Sequence, residues 1–449
     1  MTQTTFILLA VACSCFFLWR TVWQGRVDPL SLAFASTCIY FAPGFYGSVH
    51  VGGYSAPIDP IAYVAMAIVV TSLTVVAAAA DKVALGPPLD ADFGRMIAPA
   101  LLLAAIASMA VSLVTIGSGY VCADKVEMLK HIDLWYYYAA YAVPFSFVAA
   151  LACRQWAIVF ACSVLLVLDL AIGFRASTAI TFLGAATLYG QGALKGWRRA
   201  ATFAAVVLVI GVGLLLVKQA AYTIKYAMAS QCYLEVPEST APETGDLRAP
   251  DPTAPRISQV SAQEQLFHFG GQLRRPDVYV AAVTQSEPFV TQSILNETVR
   301  QDFRTNDGYL VRQLLSGVPG GATIFGMHLG DVPTFTSMFQ AELFPDVDFD
   351  MASNPWAQAY AAGGLAMVLV FALGYSMSVA GLSLAFWKTS GPCRGCIATL
   401  AAWLAFYFHR NDLLIQIGIM KQTAYILAVA CFVTWSIYRL RRKRKLDHV

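Results

Sequence analysis

Apolar residues in this chain come in long runs, and the polar positions fall between the runs rather than within them. Eleven runs are read as helices: 4–23, 30–49, 59–80, 97–117, 133–152, 156–173, 176–192, 200–220, 356–386, 397–410 and 422–439. A bilayer core of roughly 30 Å takes about 17–25 apolar residues at the helical rise. The tenth run is short and extends, if needed, through Ile417. In lipid every backbone N–H and C=O must be satisfied internally, so each run is predicted to be a helix; Gly and Pro inside several of them are tolerated where neighbouring helices take up the freed groups. The expected fold class is an all-α polytopic membrane protein of about eleven transmembrane helices with one large extracytoplasmic loop.

One interval breaks the pattern. Residues 221–355 hold 16 of the 27 acidic residues and 8 of the 30 basic ones. The chain thus divides into helices 1–8 (1–220), a large loop (221–355), helices 9–11 (356–440) and a basic tail (441–449). Within the loop, 221–235 continues the preceding helix as an amphipathic stalk. The stretch 236–262 is rich in Pro, Glu, Thr and Ala, a composition that cannot bury a core, and is expected to be a flexible linker. Residues 263–353 alternate helical apolar patterns with aromatic residues and are expected to fold as a cap. The cap carries Arg274, Arg275, Arg300, Arg304 and Arg312. Reading Glu297 to Leu315 as one helix puts Arg300 and Arg304 on one face. The loop is net acidic, so it is no simple trap for anionic lipid, and its arginines act locally or pair with Asp302, Asp307 and nearby carboxylates.

Composition removes other classes. At 58% hydrophobic and 13% charged residues, the chain is too apolar for a soluble domain. Orientation follows from Lys and Arg in the connections. The run Arg439 to Lys445 marks the C-terminus as cytoplasmic, and counting helices back places sixteen basic residues on that side, including Arg20, Arg26, Lys82, Arg95 and Arg154. The short loops opposite hold Lys125, Lys130, Arg175, Arg410 and Lys421. The large loop and the N-terminus are therefore expected outside the cytoplasm. The first run lacks a basic n-region and a small-x-small cleavage site, and is read as a retained helix.

Most of the ten cysteines lie in apolar runs, where cysteine acts as a small apolar residue. The lone pair Cys393 and Cys396 is half a zinc site at best. Cys122 and Cys232 lie on the oxidising side, where a disulfide between them is one reading and two free thiols the other. No Gly-rich phosphate loop, metalloprotease motif or nucleophile elbow appears, and Asp346-Val347-Asp348-Phe349-Asp350 is read as a solvated acidic turn before a weak cation site.

Charge gathers instead where the outer ends of helices meet the loop. In Gly173-Phe174-Arg175-Ala176-Ser177, Arg175 either snorkels to lipid phosphates or faces inward as an anion contact. In His409-Arg410-Asn411-Asp412, an Arg and an Asp entering an apolar stretch are costly unless paired or lining a cavity. In Asn354-Pro355-Trp356 the loop re-enters the bilayer with Pro at a helix start, and Trp356 is read as an interface anchor. Asp169 is placed to neutralise Arg175 or Arg410.

These residues carry a resemblance. Pro29-Leu30-Ser31-Leu32 ahead of Phe41-Ala42-Pro43-Gly44, the loop Lys125-Val126-Glu127-Met128-Leu129, Gly173-Phe174-Arg175, Gln358-Ala359-Tyr360-Ala361-Ala362-Gly363-Gly364 and Arg410-Asn411-Asp412-Leu413 resemble the Wzy-type oligosaccharide repeat-unit polymerases, or O-antigen polymerases. Asn411 stands where that family often has Gly. The resemblance implies a GT-C-like membrane glycosyltransferase of the bacterial inner membrane, working at its outer face in lipopolysaccharide or exopolysaccharide biosynthesis. It implies transfer of a growing glycan from undecaprenyl pyrophosphate to an incoming lipid-linked oligosaccharide repeat unit. No metal or other cofactor is implied. Partners would be that lipid-linked oligosaccharide, membrane lipid, a chain-length-regulating co-polymerase and a flippase, and no nucleic acid.

On that implication, arginines suit a leaving pyrophosphate, since the guanidinium fork pairs with phosphate oxygens and keeps its proton. Arg175 and Arg410 are the expected pyrophosphate contacts, with Arg274, Arg275, Arg304 and Arg312 closing from the cap. Glu287, His328, Asp331 and Asp412 are the acid–base candidates. Tyr279, Tyr309 and Tyr360 are candidates for stacking on sugars, as is Phe335, though such aromatics also build cores. Three rivals stand beside this reading: an O-antigen ligase, a flippase or transporter, which would usually show repeated halves that this chain lacks, and a non-catalytic assembly partner.

Overall fold

The computed structural model describes residues 1–51, 53–83, 92–117, 132–172, 174–190, 196, 198–199, 201–202, 286–306, 308–317, 332–347 and 351–446. Several expectations lie outside these: most of the helix at 200–220, the stalk and linker, the 125–129 loop, Cys122 and Cys232, most of the Asp346–Asp350 run, and the site candidates Arg274, Arg275, Tyr279, His328 and Asp331.

The described chain is built from α1 (Gln3–Val22), α2 (Pro29–Tyr40), α3 (Ala42–Tyr46), β1 (Ser48–Val51), β2 (Tyr54–Pro57), α4 (Pro60–Ala80), α5 (Ile97–Ile116), α6 (Leu134–Ala152), α7 (Trp156–Ile172), α8 (Ala176–Tyr189), α9 (Glu287–Arg300), α10 (Tyr309–Gly317), α11 (Phe335–Leu343), α12 (Pro355–Lys388), α13 (Gly391–Tyr407) and α14 (Leu413–Leu446). Among the described residues six helices are long and apolar enough to cross a membrane: α1, α4, α5, α6, α12 and α14. α2, α7 and α8 are shorter apolar helices.

Local chemistry sets many helix starts. Asp28, Asp59 and Asn354 each precede a proline, and each side chain accepts the orphan amide of a following residue: Ser31, Ile61 and Trp356. Proline at the first helical position gives up no needed donor, and the Asx side chain supplies the missing acceptor. Asp133 does the same for α6 without a proline, accepting from Tyr136 N.

Two apolar clusters form the bundle. One packs α1, α2, α4 and α12 beneath α9, α10 and α11, with Phe6, Leu30, Met66, Phe335, Phe339 and Trp356 almost fully buried. The other joins α5, α6, α7, α8, α13 and α14 around Leu101, Phe145, Ile180 and Trp403. Small residues let backbones approach there. A Cβ on Gly395 would lie 2.8 Å from Val148 O, so α13 meets α6 with no room for a side chain.

The structure departs from the sequence reading in several places. The expected second helix stops at Tyr40, and α3 and an antiparallel β1–β2 hairpin follow, pairing Ser48 with Pro57 and Val51 with Tyr54. The hairpin is held from the cap side: Asn296 on α9 accepts from Asp59 N and donates to Pro57 O, and Tyr54 donates to Glu297. Glu297 to Leu315 is two helices, not one. α9 ends at Arg300, the chain turns with Asp302 in the left-handed region (φ 48°), and α10 starts at Tyr309. Arg300 pairs with the buried Glu297 one turn before it, at 2.7 Å, so Arg300 and Arg304 share no face. The last helix begins at Leu413, which puts Lys421 inside it rather than in a loop.

At the end of the bundle away from the cap, an ion-pair cluster joins four helices. Arg20 near the end of α1 reaches both oxygens of Asp28 at 2.7 and 2.6 Å, and Asp81 at 2.9 Å. Arg26 also reaches Asp81, at 2.5 Å. Ser383 and Trp387 of α12 donate to Asp28 at 2.7 and 3.2 Å.

Candidate functional site

At the cap end, three charged side chains from distant parts of the sequence converge. Glu287 opens α9, Arg175 immediately precedes α8, and Arg410 closes the short 3-10 turn Phe408–Arg410 after α13. Arg410 Nη1 lies 2.5 Å from Glu287 Oε1, and Arg175 Nη2 lies 3.7 Å from the same oxygen. The three side chains keep 25%, 41% and 22% exposure for Arg410, Arg175 and Glu287, so the cluster is half-open rather than sealed. The Tyr40 hydroxyl donates to Glu287 Oε2 at 3.5 Å. The Arg410 guanidinium lies over the Tyr407 ring, 5.0 Å from its centroid. Arg410 Nε is buried and has no acceptor among the described residues.

The floor beneath is a rigid aromatic cluster. The expected interface anchor Trp356 is instead fully buried, and its indole N–H donates to His409 Nδ1 at 3.1 Å. That bond leaves the His409 proton on Nε2, facing Thr37 Oγ1 at 3.1 Å. Tyr40 stacks on the same imidazole at 5.3 Å between centroids. His409 is therefore neutral and held between Trp356 and Thr37, one residue before Arg410.

Asp169, expected to neutralise an arginine, accepts a hydrogen bond from the Tyr136 hydroxyl, and its other oxygen is buried without a partner among the described residues.

The other predicted site residues fall elsewhere. Asp412 is fully buried, and its oxygens accept from the amides of Ile415 and Phe335 at 2.9 and 2.8 Å. It caps α14 and ties α11 to it. Burial outweighs those two bonds and pushes the Asp412 carboxyl above its ordinary value. Tyr309 is buried and accepts from Gln313 Nε2 at 2.6 Å. Gln358 donates to Gln313 at 2.5 Å and accepts from Leu413 N at 2.9 Å, so one polar chain crosses from α10 through α12 to α14. Phe335 lies in the core.

Arg304 and Tyr360 meet each other. α12 is broken at Gly363 and Gly364, where Gly364 takes φ +63°. The break frees carbonyls, and the cap supplies the donors: Arg304 Nη1 bonds Tyr360 O at 2.8 Å and Thr305 N bonds Ala361 O at 3.0 Å. The guanidinium also covers the Tyr360 ring at 4.7 Å and pairs with Asp302 at 2.6 Å. Arg312 is exposed on α10.

Of the predicted residues, the structure thus brings together Arg175, Arg410 and Glu287 at one point and Arg304 with Tyr360 at another. Sequence reasoning missed Tyr40 and Tyr407, which look like ordinary aromatic residues of apolar helices. Among the described residues two cations face one carboxylate, and Arg410 Nε has no acceptor. Such an arrangement can hold an anion with several oxygens. Comparison with protein-family models, curated proteins and solved structures finds no match for this chain.

Proposed function

We propose that the chain is a polysaccharide polymerase of the Wzy type, a glycosyltransferase that moves a growing glycan from undecaprenyl pyrophosphate onto the next lipid-linked repeat unit. The cap end is the periplasmic face in this reading. The observation that carries it is the convergence of Arg175 and Arg410, more than two hundred residues apart, on one carboxylate beside the cap. Breaking the anomeric C–O bond builds negative charge on the departing pyrophosphate. Fixed guanidinium donors at that place lower the barrier, because charge stabilisation where charge develops is usually the largest catalytic contribution. Glu287 is the nearest carboxylate and the leading candidate to receive the proton of the attacking hydroxyl once the arginines turn to the substrate.

Purified protein incubated with a lipid-linked repeat unit tests this, with products sized on a gel. Polymer ladders are expected from the wild type. Arg175→Ala and Arg410→Ala are each expected to lower the rate by about a hundredfold or more while inserting normally. Polymer of full length from both variants ends the mechanistic assignment. Transfer to a lipid A–core acceptor without ladders would make the enzyme a ligase instead.

A further inference from the structure

We propose that Glu287 is the selectivity element of this site: a tethered single negative charge that holds the arginine pair and yields only to a ligand carrying two. The inference rests on the diphosphate reading above and adds how the site tells its ligand from ordinary lipid phosphate.

The geometry is that of a shared counter-ion. One oxygen of Glu287 serves both arginines, at 2.5 and 3.7 Å, while the other faces the Tyr40 hydroxyl. A guanidinium offers five N–H donors in a planar fork, and a carboxylate that satisfied one arginine fully would use both its oxygens on it. Here one oxygen is shared between two forks, and Arg410 Nε is buried with no acceptor among the described residues. Glu287 is also anchored. It sits in the first turn of α9, where the helix N-terminus favours a negative side chain. It is attached to the protein, so it competes at a high effective concentration that no dissolved monoanion matches.

An arginine pair at headgroup depth is surrounded by phospholipid phosphodiesters, each with one negative charge. Such a group brings no more charge than Glu287 already supplies, and to bind it must displace a tethered competitor. A diphosphate diester brings two charges on adjacent phosphates. It can engage both forks at once and take up the donors that Glu287 leaves unused. Displacement therefore favours the diphosphate, and the freed carboxylate is left beside the bound ligand.

The test uses the full chain in detergent micelles and two matched soluble probes: a farnesyl diphosphate ester of glucose and the farnesyl monophosphate diester of glucose. Affinities are read by calorimetry. The wild type is expected to prefer the diphosphate. Glu287→Gln removes the charge at nearly constant shape and is expected to raise monophosphate affinity on the order of tenfold, narrowing the preference. Glu287→Asp keeps the charge and is expected to retain the preference, which separates charge from any folding effect. An unchanged ratio in Glu287→Gln overturns the selectivity role while diphosphate binding that depends on Arg175 and Arg410 leaves the reading of the site intact. Diphosphate binding indifferent to Arg175→Ala and Arg410→Ala, or no binding at all, overturns both.

Discussion

Arg20 and Arg410 look alike along the chain, each a cation at the end of an apolar run, yet their partners give them opposite roles. Arg20 is 1% exposed and meets carboxylate oxygens from its Nε, Nη1 and Nη2. A saturated, buried ion pair leaves nothing to offer a ligand, and its worth shows when one partner is removed. Asp28→Ala is expected to cost about 3–5 kcal/mol, because Arg20 would stay buried with a charge unmatched, and thermal unfolding in detergent reads this directly. Burial pushes the Asp28 carboxyl up, but the hydrogen bonds and charge of Arg20 outweigh it and hold it below the ordinary carboxylate range. A depressed carboxyl stabilises the fold above its unfolded pKa of about 3.9, and that contribution is lost as pH falls through the lower folded value. Arg20→Met should therefore flatten the acid limb of the stability profile. Arg410 is the reverse case, a half-open guanidinium with one shared partner, and Arg410→Ala should change stability far less than activity.

Among the elements, α12 shows how a break can be part of the design. At 1.5 Å per residue, the part after the break, Leu365 to Lys388, is about 36 Å long, enough by itself to cross a hydrocarbon core of roughly 30 Å. The first turns, Pro355 to Ala361, are buried in protein, and the apolar span continues after Gly364. Gly364 has φ +63° and ψ −156°, a region essentially restricted to glycine where a side chain costs about 1–3 kcal/mol, and an ideal Cβ there would stand 3.5 Å from Arg304 Nη1. Gly364→Ala is expected to destabilise by about that amount. Arg304→Ala removes a charged hydrogen bond to Tyr360 O and a ring contact, and is expected to cost about 1 kcal/mol. Its measurement separates two roles for Arg304. A capping residue lowers the melting temperature; a pyrophosphate ligand would weaken diphosphate binding at unchanged stability.

At the scale of the molecule, charge sits at two ends. Arg20, Arg26, Asp28 and Asp81 gather at one end, and Arg175, Glu287 and Arg410 at the other. α1 and α4, both long enough to cross a membrane, and the shorter α2 run between these ends in alternation. The proposed orientation makes a direct prediction. With the exposed native cysteines replaced, Ser337→Cys on α11 should react with a membrane-impermeant thiol reagent once the outer membrane is opened. Lys82→Cys, just beyond α4, should react only after the inner membrane is breached. The opposite pattern would put the cap in the cytoplasm and end the polymerase reading.

Among the described residues the apolar runs told of six helices long and apolar enough to cross a membrane, because lipid offers no partner to a backbone amide, while the run 30–49 breaks into α2, α3 and the start of β1. The Asn354-Pro355 helix start was equally local, since a cap needs only its own next three residues. Arg175 and Arg410 were legible as charges out of place in apolar surroundings. That they share Glu287 was not, because an ion pair is decided by which helix ends packing brings together, and the chain separates these residues by more than a hundred positions. The same holds for Trp356 on His409, Asp412 on the amides of α11 and α14, and Arg304 over the broken helix. For Arg410 and Asp412 the sequence by itself determined that a charge stood at a costly place, and for all of these residues only the tertiary structure decided what satisfied them, because packing sets which helix ends meet.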